Sequence, residues 1–261
     1  MNRLAAMINA EFLVLRTRRG LMALTAVLTV GGIVLANLVL SLYHLSNAGQ
    51  YGPAGGAHGL ANATTLFEVT GSLAAILVGA TAGAQQFESG VFRSLVATGR
   101  SRFAIALSRI PAALMVILPM LLVAYGVEIG AVYLFAGGTA LPSTTTVLVE
   151  LGWIMAVGVL DCCLALGIAA LTGTRAGAVG LLVAWEVAGS RLIERFSAFG
   201  SWRGLISTVA TDRLLPNATD TIQLTRADSI TLSVGAALAV VAAWILVAST
   251  LGVWRTVTRD A

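Results

Sequence analysis

Lysine is missing from this chain of 261 residues, and all sixteen of its basic residues are Arg. A Walker-type nucleotide site needs the Lys of GxxxxGK[ST] to reach the phosphates, so the chain has no such site of its own. Schiff-base chemistry, which needs a Lys amine, is excluded with it. Charge of either sign is scarce: 11% of residues carry it, where a soluble domain carries about 25%. Two His, His44 and His58, are too few for a metal site. Cys162 and Cys163 are neighbours that point in different directions on a helix, so they do not pair and read as small packing residues.

Apolar residues are what the chain has in excess, at 57% of the total with a mean hydropathy of +0.90. They lie in six long segments, 21–43, 66–86, 106–135, 147–172, 176–193 and 230–254. Runs of this length span a bilayer as helices, and none shows the period-two alternation of a transmembrane barrel. The expectation is an all-α integral membrane protein, a single transmembrane domain over 1–261 with six spans. The third segment exceeds the ~20 residues a bilayer requires and contains Pro111 and Pro119. It is expected to tilt, kink or project. The apolar part of the first segment is too long for a cleaved signal and reads as a retained anchor.

The Arg residues set an orientation. With six spans, eleven of them (Arg3, Arg16, Arg18, Arg19, Arg93, Arg100, Arg102, Arg109, Arg175, Arg255 and Arg259) fall on one side. The connections 42–65 and 136–146 on the other side have none. The positive-inside rule then places both termini in the cytoplasm, for a multi-pass protein of the cell membrane. Clustering beside apolar runs also explains the net charge of +4 without a nucleic-acid partner. The connection after the fifth segment dissents. It and its edge carry Arg191, Arg195, Arg203, Arg213 and Arg226, mixed with Glu194, Asp212, Asp220, Asp228 and apolar residues such as Trp202 and Ile206. Short helices at the outer surface account for that mixture. Ahead of the first segment, Leu4, Ile8, Phe12 and Leu15 recur at helical spacing, which predicts an interfacial helix over 1–20.

The stretch from Gly79 to Arg109 is the most informative. It leaves the second segment at Gln85-Gln86, passes Phe87, Glu88 and Gly90, turns amphipathic through Phe92, Arg93 and Leu95, and closes with Arg100, Arg102 and Arg109. A short surface helix that exposes apolar and Arg side chains is a handle for a soluble partner, because Phe and Arg are favoured at interface centres.

Here the chain resembles the membrane permease subunits of the type-2 ATP-binding-cassette exporter family. In that family a surface helix precedes six spans and a cytoplasmic coupling helix lies between spans two and three. Its elbow reads as an acid, Gly-Thr, apolar residues, then Arg and a further basic residue. Glu88, Gly90, Leu95, Arg102 and Arg109 stand at those positions, and Val91 stands where the family has Thr. Leu214-Leu215-Pro216-Asn217-Ala218 is similar to the Leu-Pro-x-Ala before the last span in bacterial relatives. The resemblance implies a transporter subunit that is not an enzyme and binds no cofactor, energised by a separate cytosolic ATPase that carries ATP and Mg. It implies a second permease as partner, in a homo- or heterodimer. Phe87, Glu88, Gly90, Phe92, Arg93, Arg100 and Arg102 are the expected ATPase-docking residues.

Two acids lie deep in spans: Asp161 in the fourth and Glu186 in the fifth. Counted from the turn near Gly173, both sit about 15–20 Å up their helices at 1.5 Å per residue. They either line a translocation path for a cationic or hydrogen-bonding cargo, or are protonated and bonded to neighbouring helices. The seven Val, Leu and Ile of 179–193 return ~2–4 kcal/mol on insertion, which barely offsets Glu186. The fifth span is therefore expected to lean on its neighbours. Glu128 and Glu150, nearer the outer side, are expected to pair with Arg191 or Arg195. Gly79-x-x-x-Gly83, Gly126-x-x-x-Gly130 and Gly173-x-x-x-Gly177 serve helix packing or a dimer seam. Two other functions stay open: a gradient-driven carrier using the buried acids as proton relays, and a non-transporting sensor or immunity subunit.

Overall fold

A computed structural model describes residues 3–215 and 232–258. It contains six helices long and apolar enough to cross a membrane: Arg19–Ser46, Gly56–Glu88, Arg102–Leu134, Thr144–Thr172, Arg175–Glu194 and Val234–Thr258. We call them spans one to six; they belong to a multi-pass membrane protein, with no strand among the described residues. Helices are what lipid demands, because each satisfies its backbone groups within one segment. The part of the Leu-Pro-x-Ala echo from Pro216 onward, Asp220, Arg226, Asp228, Arg259 and the expected start of span six at Ile230 lie outside the described residues.

Span two starts ten residues earlier than its apolar run, because Gly56 to Thr65 continue the helix and are largely covered. Span three is one helix through Pro111 and Pro119. Spans one and five each contain a π-helical turn, Val27–Gly31 and Trp185–Gly189. Such turns concentrate at functional positions, and Glu186 lies in the second.

Spans two and four form the centre, running side by side in the same direction. A Cβ on Gly79 would strike the Cys162 backbone, and one on Gly83 would strike Leu166 and Ala169. This Gly-x-x-x-Gly is thus an intrachain seam. Gly167 of span four meets Ala248 and Gly252 of span six in the same manner. The other two motifs differ. Gly126 and Gly130 face open space, whereas Gly173 takes φ 76° at the end of span four and only closes that helix. Both cysteines are buried and free.

One end of the bundle, hereafter the elbow end, gathers the start of spans three and five and the end of spans two, four and six. Two further helices meet it. The amino-terminal helix Arg3–Thr17 packs on span three. The elbow helix Val91–Ala97 is held between Gly90 and Gly99, both with positive φ (69° and 77°). At the far end, a 3-10 segment Ser197–Leu205 and a helix Ser207–Leu214 follow span five. They are pinned by the indoles of Trp153, which donates to Thr211 O at 2.9 Å, and Trp244, which donates to Leu205 O at 2.8 Å.

Candidate functional site

The elbow is built from its helix ends inward. Span two stops at Glu88, and Gly90 reverses the chain in a left-handed conformation that favours Gly. The reversal lays Phe92 back against Phe87, with ring centroids 5.0 Å apart and the planes tilted by 51°. Above Phe87 sits the guanidinium of Arg109, 4.9 Å from the ring centroid, at a distance where a cation is drawn to the π face. Arg109 donates to Gly83 O at 3.3 Å and to Gln86 Oε1. Gln86 in turn donates to Glu11, and Gln85 does so at 3.1 Å. Burial pushes the Glu11 carboxyl above its ordinary range, while Arg109 and the two amides act in the opposite direction.

Two more bonds tie the elbow to the rest of that end. Glu88 Oε1 accepts from the backbone N–H of Arg175 at 2.6 Å, occupying the amino terminus of span five where a negative charge is favoured. Arg102 donates to Val257 O at the end of span six, at 3.2 Å. Glu88, Arg102 and the Phe87–Phe92 stack thus tie the elbow to spans two, three, five and six, while Gln85 and Gln86 of span two hold the amino-terminal helix.

Of the expected docking residues, Glu88, Gly90, Arg93 and Arg100 are exposed, and Phe87 and Arg102 are half-buried. Phe92 is not where the sequence reading put it. It is 4% exposed, because the Gly90 turn folds it onto Phe87 rather than presenting it. Val91, at 46%, and Phe103, at 55%, are the apolar side chains on view. The amino-terminal helix also departs from expectation. Leu15 is 1% exposed, and Phe12 packs with it in the same protein core as span three. Phe12 and Leu15 of the apolar stripe thus face protein, Leu4 and Ile8 are half-buried, and Leu13 and Val14 are the exposed apolar pair.

A second polar site lies inside the bundle. Asp161 is eleven residues before Thr172 and Glu186 eleven after Arg175, about 16 Å from the elbow end for both at 1.5 Å per residue. They are electrostatic neighbours. Glu68 of span two, which the sequence reading passed over, joins them, within reach of Asp161, Arg191 and Asp212. Glu68 and Ser72 line a cleft of about 220 Å³, its open mouth included, with Phe67, Leu121, Trp153 and Val157. Ser72 faces Asp161, whose Oδ2 is buried without a partner. The room it encloses is far below the ~300–1,000 Å³ typical of small-molecule sites.

Arg191 closes this ladder of acids at the far end. It binds Asp212 at 2.7 Å and Glu194 at 3.4 Å, and Thr208 donates to Glu194 at 2.8 Å. Asp212 is raised by burial, which outweighs the opposing effect of Arg191. Arg191 therefore does not pair with Glu128 or Glu150, as the sequence suggested. Those acids contact Asn37, Thr64 and Tyr125 instead, and Arg191 is taken by Asp212 and Glu194.

No protein-family model matches the sequence, and no curated protein matches it. The class that fold and composition define is a multi-pass helical membrane protein.

Proposed function

We propose that the chain is the membrane-spanning subunit of an ATP-driven exporter, energised by a separate ATP-binding-cassette ATPase docked at the elbow. The observation that carries this reading is the elbow itself. It is a seven-residue helix set off by two left-handed Gly turns and stacked on span two through Phe92 and Phe87, with Arg93 and, just beyond it, Arg100 outward, and its flanking residues Glu88 and Arg102 bonded to spans five and six. A push on such a helix would be felt by all of them, as a motor-driven switch between inward and outward access requires. The elbow end then faces the cytoplasm of a cell membrane. The elbow helix acts as coupling helix and the amino-terminal helix lies at the inner surface with Arg16, Arg18 and Arg19. A second permease pairs with the first, and the open Gly126 and Gly130 face is where close approach costs nothing. ATP and Mg bind to the ATPase, and this chain contributes no nucleotide site.

Asp161 and Glu186, with Glu68, are the path residues in this reading, and they favour a cationic cargo. The test is co-purification with an ATPase encoded beside the gene, followed by Arg93→Glu and Arg100→Glu. Stimulated ATP turnover should be lost while membrane insertion and monodispersity persist. Turnover unchanged by both reversals would remove the docking role. One observation favours a gradient-driven carrier instead, namely the three neighbouring acids Glu68, Asp161 and Glu186, two of which, Glu68 and Glu186, have Arg191 as their cation. It predicts transport that an uncoupler abolishes and ATPase loss leaves intact.

A further inference from the structure

Apart from the acid ladder, four spans bring a second pair of carboxyls together. Glu128 of span three is 0% exposed and Glu150 of span four is 1% exposed, and Glu128 feels the charge of Glu150. The remaining groups around them are Asn37 of span one, Thr64 of span two and Tyr125 of span three. No Arg or His acts on either carboxyl among the described residues. Two adjacent buried carboxylates without a cation are an arrangement a low-dielectric interior does not tolerate.

The atoms show where the missing positive charge belongs. The Asn37 amide donates to Ile33 O at 3.1 Å and to Glu128 Oε2 at 2.8 Å, which uses both of its hydrogens. Its Oδ1 has no partner, and neither has Glu128 Oε1; both atoms are buried. These two orphan acceptors belong to the two groups that already share one bond. A single proton on Glu128 Oε1, donated to Asn37 Oδ1, satisfies both and closes a two-bond acid–amide ring. The Tyr125 hydroxyl donates to Val147 O at 2.8 Å and lies 3.5 Å from Glu150 Oε2. Glu150, which accepts from Thr64, is the neighbouring carboxyl that disfavours a second negative charge on Glu128.

We propose that Glu128 and Asn37 form a proton-binding site in the bundle interior, occupied at neutral pH and held by Glu150. The site stands apart from the energy source, so it holds for an ATP-driven or a gradient-driven protein. One proton adds to Glu128 and no other bond changes.

The experiment is infrared difference spectroscopy of the full chain in lipid nanodiscs, in the carbonyl region of protonated carboxyls. At pH 7 the wild type should show a band that Glu128→Gln removes. Asn37→Leu should keep that band and move it to higher frequency, since its carbonyl loses the Asn37 hydrogen bond. The Gln variant can pair amide to amide with Asn37, so it is expected to fold, and Asn37→Leu provides an independent readout if it does not. Identical spectra for wild type and both variants would overturn the site. A band that appears only when sodium is replaced by choline would also overturn it, and would identify the occupant as a sodium ion.

Discussion

The Arg109 guanidinium rests 4.9 Å above the Phe87 ring while its nitrogens reach back to Gly83 and Gln86. One buried cation thereby holds spans two and three, the amino-terminal helix through Glu11, and the elbow through the Phe87–Phe92 stack. A rigid handle needs such a joint, because a docked partner can move the bundle only through contacts that do not give way.

Removing the cation should therefore unfasten that end. Arg109→Ala is expected to cost about 3–5 kcal/mol, the range for taking one partner from a buried charged network. Arg109→Lys should not restore it, since an ammonium lacks the planar fork and stacks poorly. Thermal unfolding in detergent measures both; a Lys variant of full stability would contradict the fork geometry.

Glu11 gives this joint a pH dependence of known sign. Burial raises its carboxyl above 4.5. A group raised in the folded state contributes fully below its unfolded pKa, and that contribution is lost as pH climbs through the folded value. The wild type is expected to lose stability relative to Glu11→Gln as pH rises from about 4.5 toward neutrality. Unfolding midpoints across that interval test it, and a constant difference would be the refuting result.

The central seam separates two motifs that look alike in sequence. Gly83→Leu forces a side chain into the Leu166 backbone and the Ala169 Cβ, and overpacking of this kind costs about 1–3 kcal/mol or more. Gly126→Ala meets nothing within 4 Å and should stay within about 0.5 kcal/mol of wild type. Comparing monodispersity and unfolding of the two variants decides this directly.

At the far end, Arg191 is shared by Asp212 and Glu194. Arg191→Gln leaves acids facing one another, so it should be more destabilising than Arg191→Gln combined with Asp212→Asn. The coupling is expected within the ~0.5–3 kcal/mol of interacting neighbours. A double-mutant cycle with zero coupling would mean that the pair contributes nothing.

Much of the fold was legible from the chain because crossing a bilayer is a one-dimensional requirement. Long apolar runs must become helices where water cannot satisfy the backbone, and five of the six spans both begin and end within a few residues of those runs. The depth of Asp161 and Glu186 was legible for the same reason, since rise per residue is fixed. Lateral neighbours were not. Glu68 was hidden near the start of an apolar run whose helix begins earlier, at Gly56. Phe92 is buried because Gly90 turns it inward, and Arg191 meets Asp212 because a short helix after span five carries the acid back to it. Hydropathy determined how many helices cross; the Gly79–Gly83 and Gly167–Gly252 seams, with the left-handed turn at Gly90, decided which side chains meet, since side-chain contact depends on helix rotation and close approach that no linear run encodes.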